Sequence, residues 1–292
     1  MKVLLTGATG YIGSAVAEAL SRAGHEVKGL ARSLEAAELL KARNIQALRG
    51  DLTDTNLLSA AAREADGVIH TALPHSPDAP DIDRKAVEAI LVALEGTNKP
   101  FIYTSGIWVY GSTGEGVATE ETPLNPTPMV AWRPGDEKLA LSGAERGVRA
   151  VVIRPGIVYG GSGGIIGGMI QEAREKGVVQ FVGTGDNRWP QVHVEDLADL
   201  YVLALERAPA GTVLNATSHE SVRLRDVAEA ASRAGGADGR VEAWPLEEAR
   251  KELGGYADAL ALDQQVSGKR ASELLGWKPK AASVLEDLAH GS

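Results

Sequence analysis

The chain has no cysteine. Disulfides, thiolate nucleophiles and cysteine-based metal sites are therefore excluded. Only two phenylalanines occur in 292 residues, so aromatic surface has to come from five tryptophans and six tyrosines. Six histidines are scattered without H-E-x-x-H or a comparable ligand spacing, and no bound metal is expected. No apolar run approaches membrane-spanning length, and no membrane partner is expected. With a net charge of −9 and no basic stripe, nucleic acid is not an expected partner either. Met1-Lys2 is followed by three apolar residues before Thr6-Gly7, which reads as a strand rather than a signal peptide. A cytoplasmic location is the resulting expectation.

What is present begins at once. An apolar strand runs into Thr6-Gly7-Ala8-Thr9-Gly10-Tyr11-Ile12-Gly13, and a helical stretch follows directly. In such a turn the first glycine permits the tight strand-to-helix reversal. The second lets backbone approach a pyrophosphate, and the third lets helix and strand pack closely. The helix N-terminus then offers free N–H groups and a positive dipole end to phosphates. Gly7, Thr9, Gly10, Tyr11, Ile12 and Gly13 are thus expected to cradle a dinucleotide.

The first half alternates strand and helix patterns. Strands are expected at 2–5, 26–31, 45–49, 67–71, 100–105 and 148–154, and helices at 12–23, 34–42, 55–65, 82–95 and 135–145. Val/Ile/Leu-rich strands between amphipathic helices indicate parallel βαβ units, hence an α/β fold with a doubly wound parallel sheet. Gly24 and Gly67 stand where helix C-caps are expected. After Pro155 the pattern loosens. A strand is expected at 178–182, a polar loop at 183–191 and a strand at 213–215, with helices at 165–176, 195–206, 223–234, 246–253 and 268–275. This suggests a dinucleotide-binding domain over 1–158 and a smaller substrate-side domain over 159–292, interleaved with the sheet.

Five segments in order extend the pattern: the glycine turn, Gly50-Asp51-Leu52-Thr53-Asp54, Tyr103-Thr104-Ser105 with Val109-Tyr110-Gly111, Arg154-Pro155-Gly156-Ile157-Val158-Tyr159-Gly160, and Val192-His193-Val194-Glu195-Asp196. Together they resemble the extended short-chain dehydrogenase/reductase family, which includes NAD-dependent sugar epimerases and dehydratases. The resemblance implies a Rossmann-type fold, a nicotinamide dinucleotide, and a pocket for a small-molecule substrate between the two halves. It also implies cofactor contacts from Asp51, Leu52, Thr71, Ala72, Thr104, Arg133, Pro155 and Val158. Family members commonly pair through the helices expected here at 82–95 and 135–145, so a homodimer is a family expectation.

The family's catalytic set is a Ser or Thr, a Tyr and, four residues later, a Lys, the phenol exchanging a proton with the substrate oxygen. Matching Glu137 to the acidic residue four beyond the lysine puts Arg133 at the lysine position, Met129 at the tyrosine and Gly106 at the serine. Methionine donates no proton, and arginine stays protonated at working pH, holding an oxygen without acting as a base. The chain resembles an atypical subgroup with a replaced catalytic set. Arg133, Ser105, Tyr110 and Tyr159 become the catalytic candidates, and Trp132, Arg188, Trp189 and His193 the substrate-side ones. Trp108 is expected to add aromatic wall, while Trp244 and Trp277 read as packing residues. The stretch 160–164 reads as a lid or a turn.

At the end of the second strand, where NAD-specific relatives carry an acidic residue, stand Ala31, Arg32 and Ser33. A guanidinium and a hydroxyl suit a ribose 2′-phosphate, so NADP(H) is expected in preference to NAD(H). An NAD(P)(H)-dependent oxidoreductase acting on a small carbonyl or alcohol is the leading reading. An epimerase, dehydratase or isomerase with retained cofactor, and a non-catalytic NADP(H) sensor, are the alternatives.

Overall fold

Val3, Leu4 and Leu5 are buried on both faces of the strand they form, as in a central parallel strand covered by helices on either side. The computed structural model describes residues 1–292 apart from His75, Ser162, Gly291 and Ser292. The chain alternates β1 (Lys2–Thr6), α1 (Tyr11–Arg22), β2 (Glu26–Ala31), α2 (Leu34–Ala42), β3 (Gln46–Arg49), α3 (Thr55–Glu64), β4 (Gly67–His70), α4 (Ala79–Leu94), β5 (Pro100–Thr104), α5 (Arg133–Ser142) and β6 (Arg149–Pro155). It continues through β7 (Ile157–Tyr159), α6 (Gly164–Lys176), β8 (Val179–Val182), β9 (Arg188–His193), α7 (Val194–Arg207), β10 (Thr212–Ala216), β11 (Ser218–Arg223) and α8 (Leu224–Ala234). The last elements are β12 (Val241–Trp244), α9 (Leu246–Leu253), α10 (Gly255–Leu260), α11 (Lys269–Leu275) and α12 (Val284–His290).

Seven strands pair in the order β3-β2-β1-β4-β5-β6-β10, all parallel. This is the doubly wound, Rossmann-type α/β arrangement. The strand order reverses between β1 and β4, so their carboxyl ends splay apart and leave the crevice where such sheets bind ligands. One core holds Val16, Ala17 and Leu20 of α1 with Leu197, Leu200 and Tyr201 of α7 and Trp277. The other holds Val87, Ile90, Leu91 and Leu94 of α4 with Phe101, Tyr103 and Ala140.

After Pro155 the chain turns out of the sheet at Gly156, where a Cβ would stand 2.7 Å from the Pro190 carbonyl oxygen. It then builds a three-stranded sheet, β11-β9-β7, and a parallel pair, β8 with β12. These pack with α6, α8 and α12 around a separate core. Through α7 and β10 the chain returns to the large sheet. No described helix is long and apolar enough to cross a membrane.

Two expectations from the sequence are corrected. Gly67 is not a helix cap: it opens β4, where a Cβ would meet Pro100 Cγ at 2.7 Å and Leu205 Cδ1 at 2.9 Å. The α3 helix ends instead at Ala65, in extended conformation, without a left-handed residue. Gly24, by contrast, is left-handed (φ 81°) and closes α1, with Gly24 N–H donating to the Ser21 carbonyl and His25 N–H to that of Leu20. The second correction concerns the polar loop expected at 183–191. From Arg188 onward it is strand β9, hydrogen-bonded on both sides and carrying a Trp189 that is only 2% exposed. Its mixed Arg-Trp-Pro-Gln composition hides the alternation that normally marks a strand.

A buried ion pair ties α5 to the end of β6. Arg154 Nε donates to Glu137 Oε1 at 2.9 Å, its Nη2 donates to Oε2, and its Nη1 donates to the Tyr110 hydroxyl at 2.6 Å. That hydroxyl donates in turn to Asn215 Oδ1 at 2.8 Å. Removing one member of such a buried pair strands the other charge, at a cost of about 3–5 kcal/mol. Glu137→Ala is therefore expected to lower the urea unfolding midpoint by the equivalent of about 3–5 kcal/mol. A midpoint within experimental error of the parent would show that the pair does not stabilise the fold.

Candidate functional site

The glycine turn meets the requirements of a phosphate-binding loop. Gly7 has φ 74°, and a Cβ there would stand 2.7 Å from Thr71 Oγ1 and 2.8 Å from the Ala72 amide nitrogen. A Cβ on Gly13 would come 2.0 Å from the Gly7 carbonyl oxygen, so only glycine allows α1 to sit this close to β1. Gly10 is the N-cap of α1, with no side-chain cap and no acidic residue in the first turn. The helix start keeps its donors and its positive end for a ligand.

A groove of about 910 Å³ runs from this loop across the edge of the sheet. Gly7, Thr9, Gly10, Tyr11, Ile12, Gly13, Arg32, Ser33, Asp51, Leu52, Thr71 and Ala72 all line it. Leu52 is buried, and Asp51 is held by Thr53, whose amide and hydroxyl both donate to Oδ1 at 3.0 Å. Ser33 caps α2, its Oγ accepting from the Ala36 amide at 3.0 Å. Arg32 is exposed, and among the described residues its guanidinium has no partner, not even Glu35 one turn on. These residues fit a dinucleotide.

The groove opens into a second cavity of about 760 Å³, and Tyr11, Ile12, Leu73, Pro74 and Ser76 line both. Ser105, Trp132, Arg133, Pro155 and Val158 line this second cavity. So do Gly106, Met129 and Trp108. The three positions at which the family's hydroxyl, phenol and ammonium are expected, Gly106, Met129 and Arg133, thus converge on one space. Gly106 opens a short 3-10 helix (Ile107–Tyr110), and a Cβ there would meet nothing within 4 Å. Met129 lies in another (Pro128–Val130), and Arg133 begins α5.

Arg133 is locked in place. Its Nη1 donates to the Thr104 carbonyl at 2.7 Å and to the Tyr103 hydroxyl at 3.3 Å, and its guanidinium lies 4.4 Å from the Trp132 ring centroid. Thr104 acts through that carbonyl, because its Oγ1 is paired with the Tyr201 hydroxyl at 2.7 Å. Behind Arg133 a polar chain runs through the core. Tyr103 donates to Asp83 Oδ2 at 2.6 Å, Asp83 Oδ1 lies 3.0 Å from His70 Nε2, and His70 Nδ1 lies 2.8 Å from Thr6 Oγ1. Burial pushes the Tyr103 phenol well above its ordinary range, and Asp83 beside it reinforces the shift. Burial works against ionised Asp83, but the hydrogen bond and charge of His70, with Arg133, hold its carboxyl below the usual range. Sequence reasoning missed this chain. One signal was available: Asp83 falls in the apolar stripe of α4 with Ala86, Val87 and Ile90, where a carboxylate needs a partner.

Five candidates lie elsewhere. Tyr110 spends its hydroxyl on Arg154 and Asn215. Tyr159 donates to the Ala282 carbonyl at 2.6 Å, with its ring edge-on to His193. His193 caps α7, its Nδ1 accepting from the Glu195 amide at 3.2 Å. Arg188 is tied to Asp263 at 2.9 and 2.7 Å and to the Gly114 carbonyl. Trp189 is a core residue whose Nε1 donates to the Leu260 carbonyl. None of the five lines the groove or the cavity. Ser105 does, and its Oγ is buried without a hydrogen-bond partner among the described residues. Of the stretch 160–164, Ser162 lies outside the described residues; Gly163 and Gly164 close on the Tyr11 ring, and Tyr11 donates to the Gly160 carbonyl at 2.6 Å. Among the described residues no group of three or more His, Asp or Glu side chains is placed to hold a metal ion.

The family model for the NAD dependent epimerase/dehydratase family matches residues 3–216. The chain belongs to that family. It is similar to uncharacterized proteins from Schizosaccharomyces pombe (37% identical, 99% of this chain and 98% of that protein) and Saccharomyces cerevisiae (36%, 99% and 98%). It is 28% identical to a UDP-glucose 4-epimerase from Mycolicibacterium smegmatis, over 97% of this chain and 95% of that enzyme. Among solved structures, the UDP-glucuronic acid 4-epimerase from Bacillus cereus, in complex with UDP-glucuronic acid and NAD, has the same fold. The TM-score is 0.84 at 21% identity, covering 100% of this chain and 98% of that one.

Asp136, one turn into α5 from Arg133, is fully buried, with Arg84 Nη2 2.7 Å from its Oδ1. Burial pushes its pKa up to about 6, against the opposing pull of Arg84. Between the ordinary carboxyl range and pH 6 the folded chain therefore holds a proton that the unfolded chain has released. Stability falls as pH rises through this window. Asp136→Asn is expected to remove that fall, worth on the order of 2 kcal/mol, in urea unfolding measured from pH 4 to pH 7. An unchanged pH profile would exclude Asp136 as its source.

Proposed function

We propose that the chain is an NADP(H)-dependent oxidoreductase acting on a small carbonyl or alcohol. The observation that carries this reading is the continuity of the two spaces, with Arg133 and Ser105 lining the cavity where the groove enters it. Its family membership and the NAD in related solved structures support a nicotinamide carrier. The glycine turn would hold the pyrophosphate, Asp51 and Leu52 the adenine end, and Arg133, Pro155 and Val158 the nicotinamide end. When bound, the nicotinamide supplies or takes up a hydride, while a proton moves to or from the substrate oxygen.

In this chain that oxygen is served without a tyrosine. Arg133 binds and polarises it through its guanidinium N–H donors. Ser105 is the hydroxyl at hand, and solvent water completes the proton transfer. Tyr103 does not replace the missing phenol, because its proton is committed to Asp83. Purified protein with NADPH and a panel of aldehydes and ketones tests the reading by cofactor consumption. Absence of turnover across the panel would overturn it. A second reading, a sugar-modifying enzyme with retained cofactor, is supported by its relatedness to a UDP-glucose 4-epimerase. It is recognised by nucleotide copurifying with the protein and no net NADPH consumption.

The preference for the phosphorylated carrier rests on Arg32 and Ser33 on the groove wall, with no carboxylate at Ala31. A hydrogen bond to a charged group is worth about 1.5–3 kcal/mol. Arg32→Ala is expected to weaken NADPH binding by about 10–100-fold in calorimetry and leave NADH binding nearly unchanged. Equal losses for both cofactors would refute a 2′-phosphate contact.

A further inference from the structure

The wall of the cavity beside the groove is chemically lopsided. Leu73 and Met129 are 38% and 46% exposed, and both line it. Trp108 and Trp132 add two flat aromatic surfaces. Exposed apolar side chains gathered in one concavity are the mark of a site that an apolar ligand covers.

Among the described lining residues, Arg133 is the only one with a fixed charge. That charge is compensated from behind, since the Tyr103 hydroxyl that accepts from Arg133 donates to Asp83, itself 1% exposed. The hydrogen bonds of Arg133 all leave from Nη1, so Nε and Nη2 have no acceptor among the described residues. The cavity is thus offered an oriented donor that carries one positive charge at most. A neutral oxygen needs no more than that. A diphosphate would bring more charge than one guanidinium can match and press the excess against apolar wall, where each unmatched buried ion costs several kcal/mol.

We infer that this cavity selects an uncharged aldehyde or ketone with an apolar, ring-sized body, its oxygen on Arg133, over diphosphate sugars. The carbonyl in this inference rests on the hydride-transfer reading above; the uncharged, apolar body rests on the wall alone.

Calorimetric titration of the full chain saturated with NADP⁺, a complex that cannot turn over a ketone, separates the two. The probes are acetophenone and UDP-glucose. Acetophenone is expected to bind saturably, at least tenfold more tightly than UDP-glucose. Met129→Asp, an exposed change that does not touch the cofactor groove, is expected to weaken acetophenone at least tenfold and leave NADPH affinity within twofold. UDP-glucose binding as tightly as acetophenone would overturn the inference, as would no saturable binding of acetophenone. So would acetophenone binding that ignores Met129→Asp. Binding as expected, without NADPH consumption by any carbonyl, would uphold the ligand class and overturn the hydride-transfer reading.

Discussion

The helix α1 stands so close to β1 that one added carbon at Gly13 would collide with the carbonyl of Gly7. Much of the site follows from this contact. It aims the uncapped start of α1 at the crevice between β1 and β4, where strand order reverses. It carries Tyr11 to the junction of groove and cavity, where the ring fits against glycines that have no Cβ to obstruct it. The glycine turn and the segment 160–164, whose Gly163 and Gly164 meet the Tyr11 ring, are therefore positioned by the same close approach.

A second constraint lies inside the sheet. Thr6, His70, Asp83, Tyr103 and Arg133 come from β1, β4, α4, β5 and α5, and they form one buried polar chain. Each link satisfies a group that would be costly to bury alone. One end lies next to the glycine turn and the other faces the cavity, so the positions of phosphate loop and guanidinium are mechanically linked through the core. Arg133 thereby becomes a fixed donor whose charge is balanced at its back. That differs chemically from the lysine and tyrosine the family pattern expects at these positions, which exchange protons.

The alternation of the first half was readable because each buried parallel strand is a short apolar run and each helix an amphipathic one. Strands at 26–31 and 100–104, and helices at 34–42 and 55–64, needed no knowledge of their neighbours. The second half was harder. Strand β9 carries arginine, tryptophan, proline and glutamine, and strands β7 and β12 are only three and four residues long. Tyr110, Tyr159, Arg188 and His193 have the functional groups of catalytic residues, yet those groups are occupied by partners 44 to 123 positions away, or by a helix end. No local pattern announces such partners.

Contiguous residues were enough for the strand-turn-helix at 2–13 and for the parallel sheet, because both depend on backbone freedom and on short-range periodicity. They also led to the expectation that Gly106, Met129 and Arg133 stand together, and all three line one cavity. Which side chains meet in the cavity, and which spend themselves on structure, was settled by packing. Asp83 reaches Arg133 only through Tyr103, across fifty positions of chain, and Trp189 is turned into a core by the strands on either side of it. Burial decides those outcomes, since a polar group out of water takes whatever partner the fold brings near.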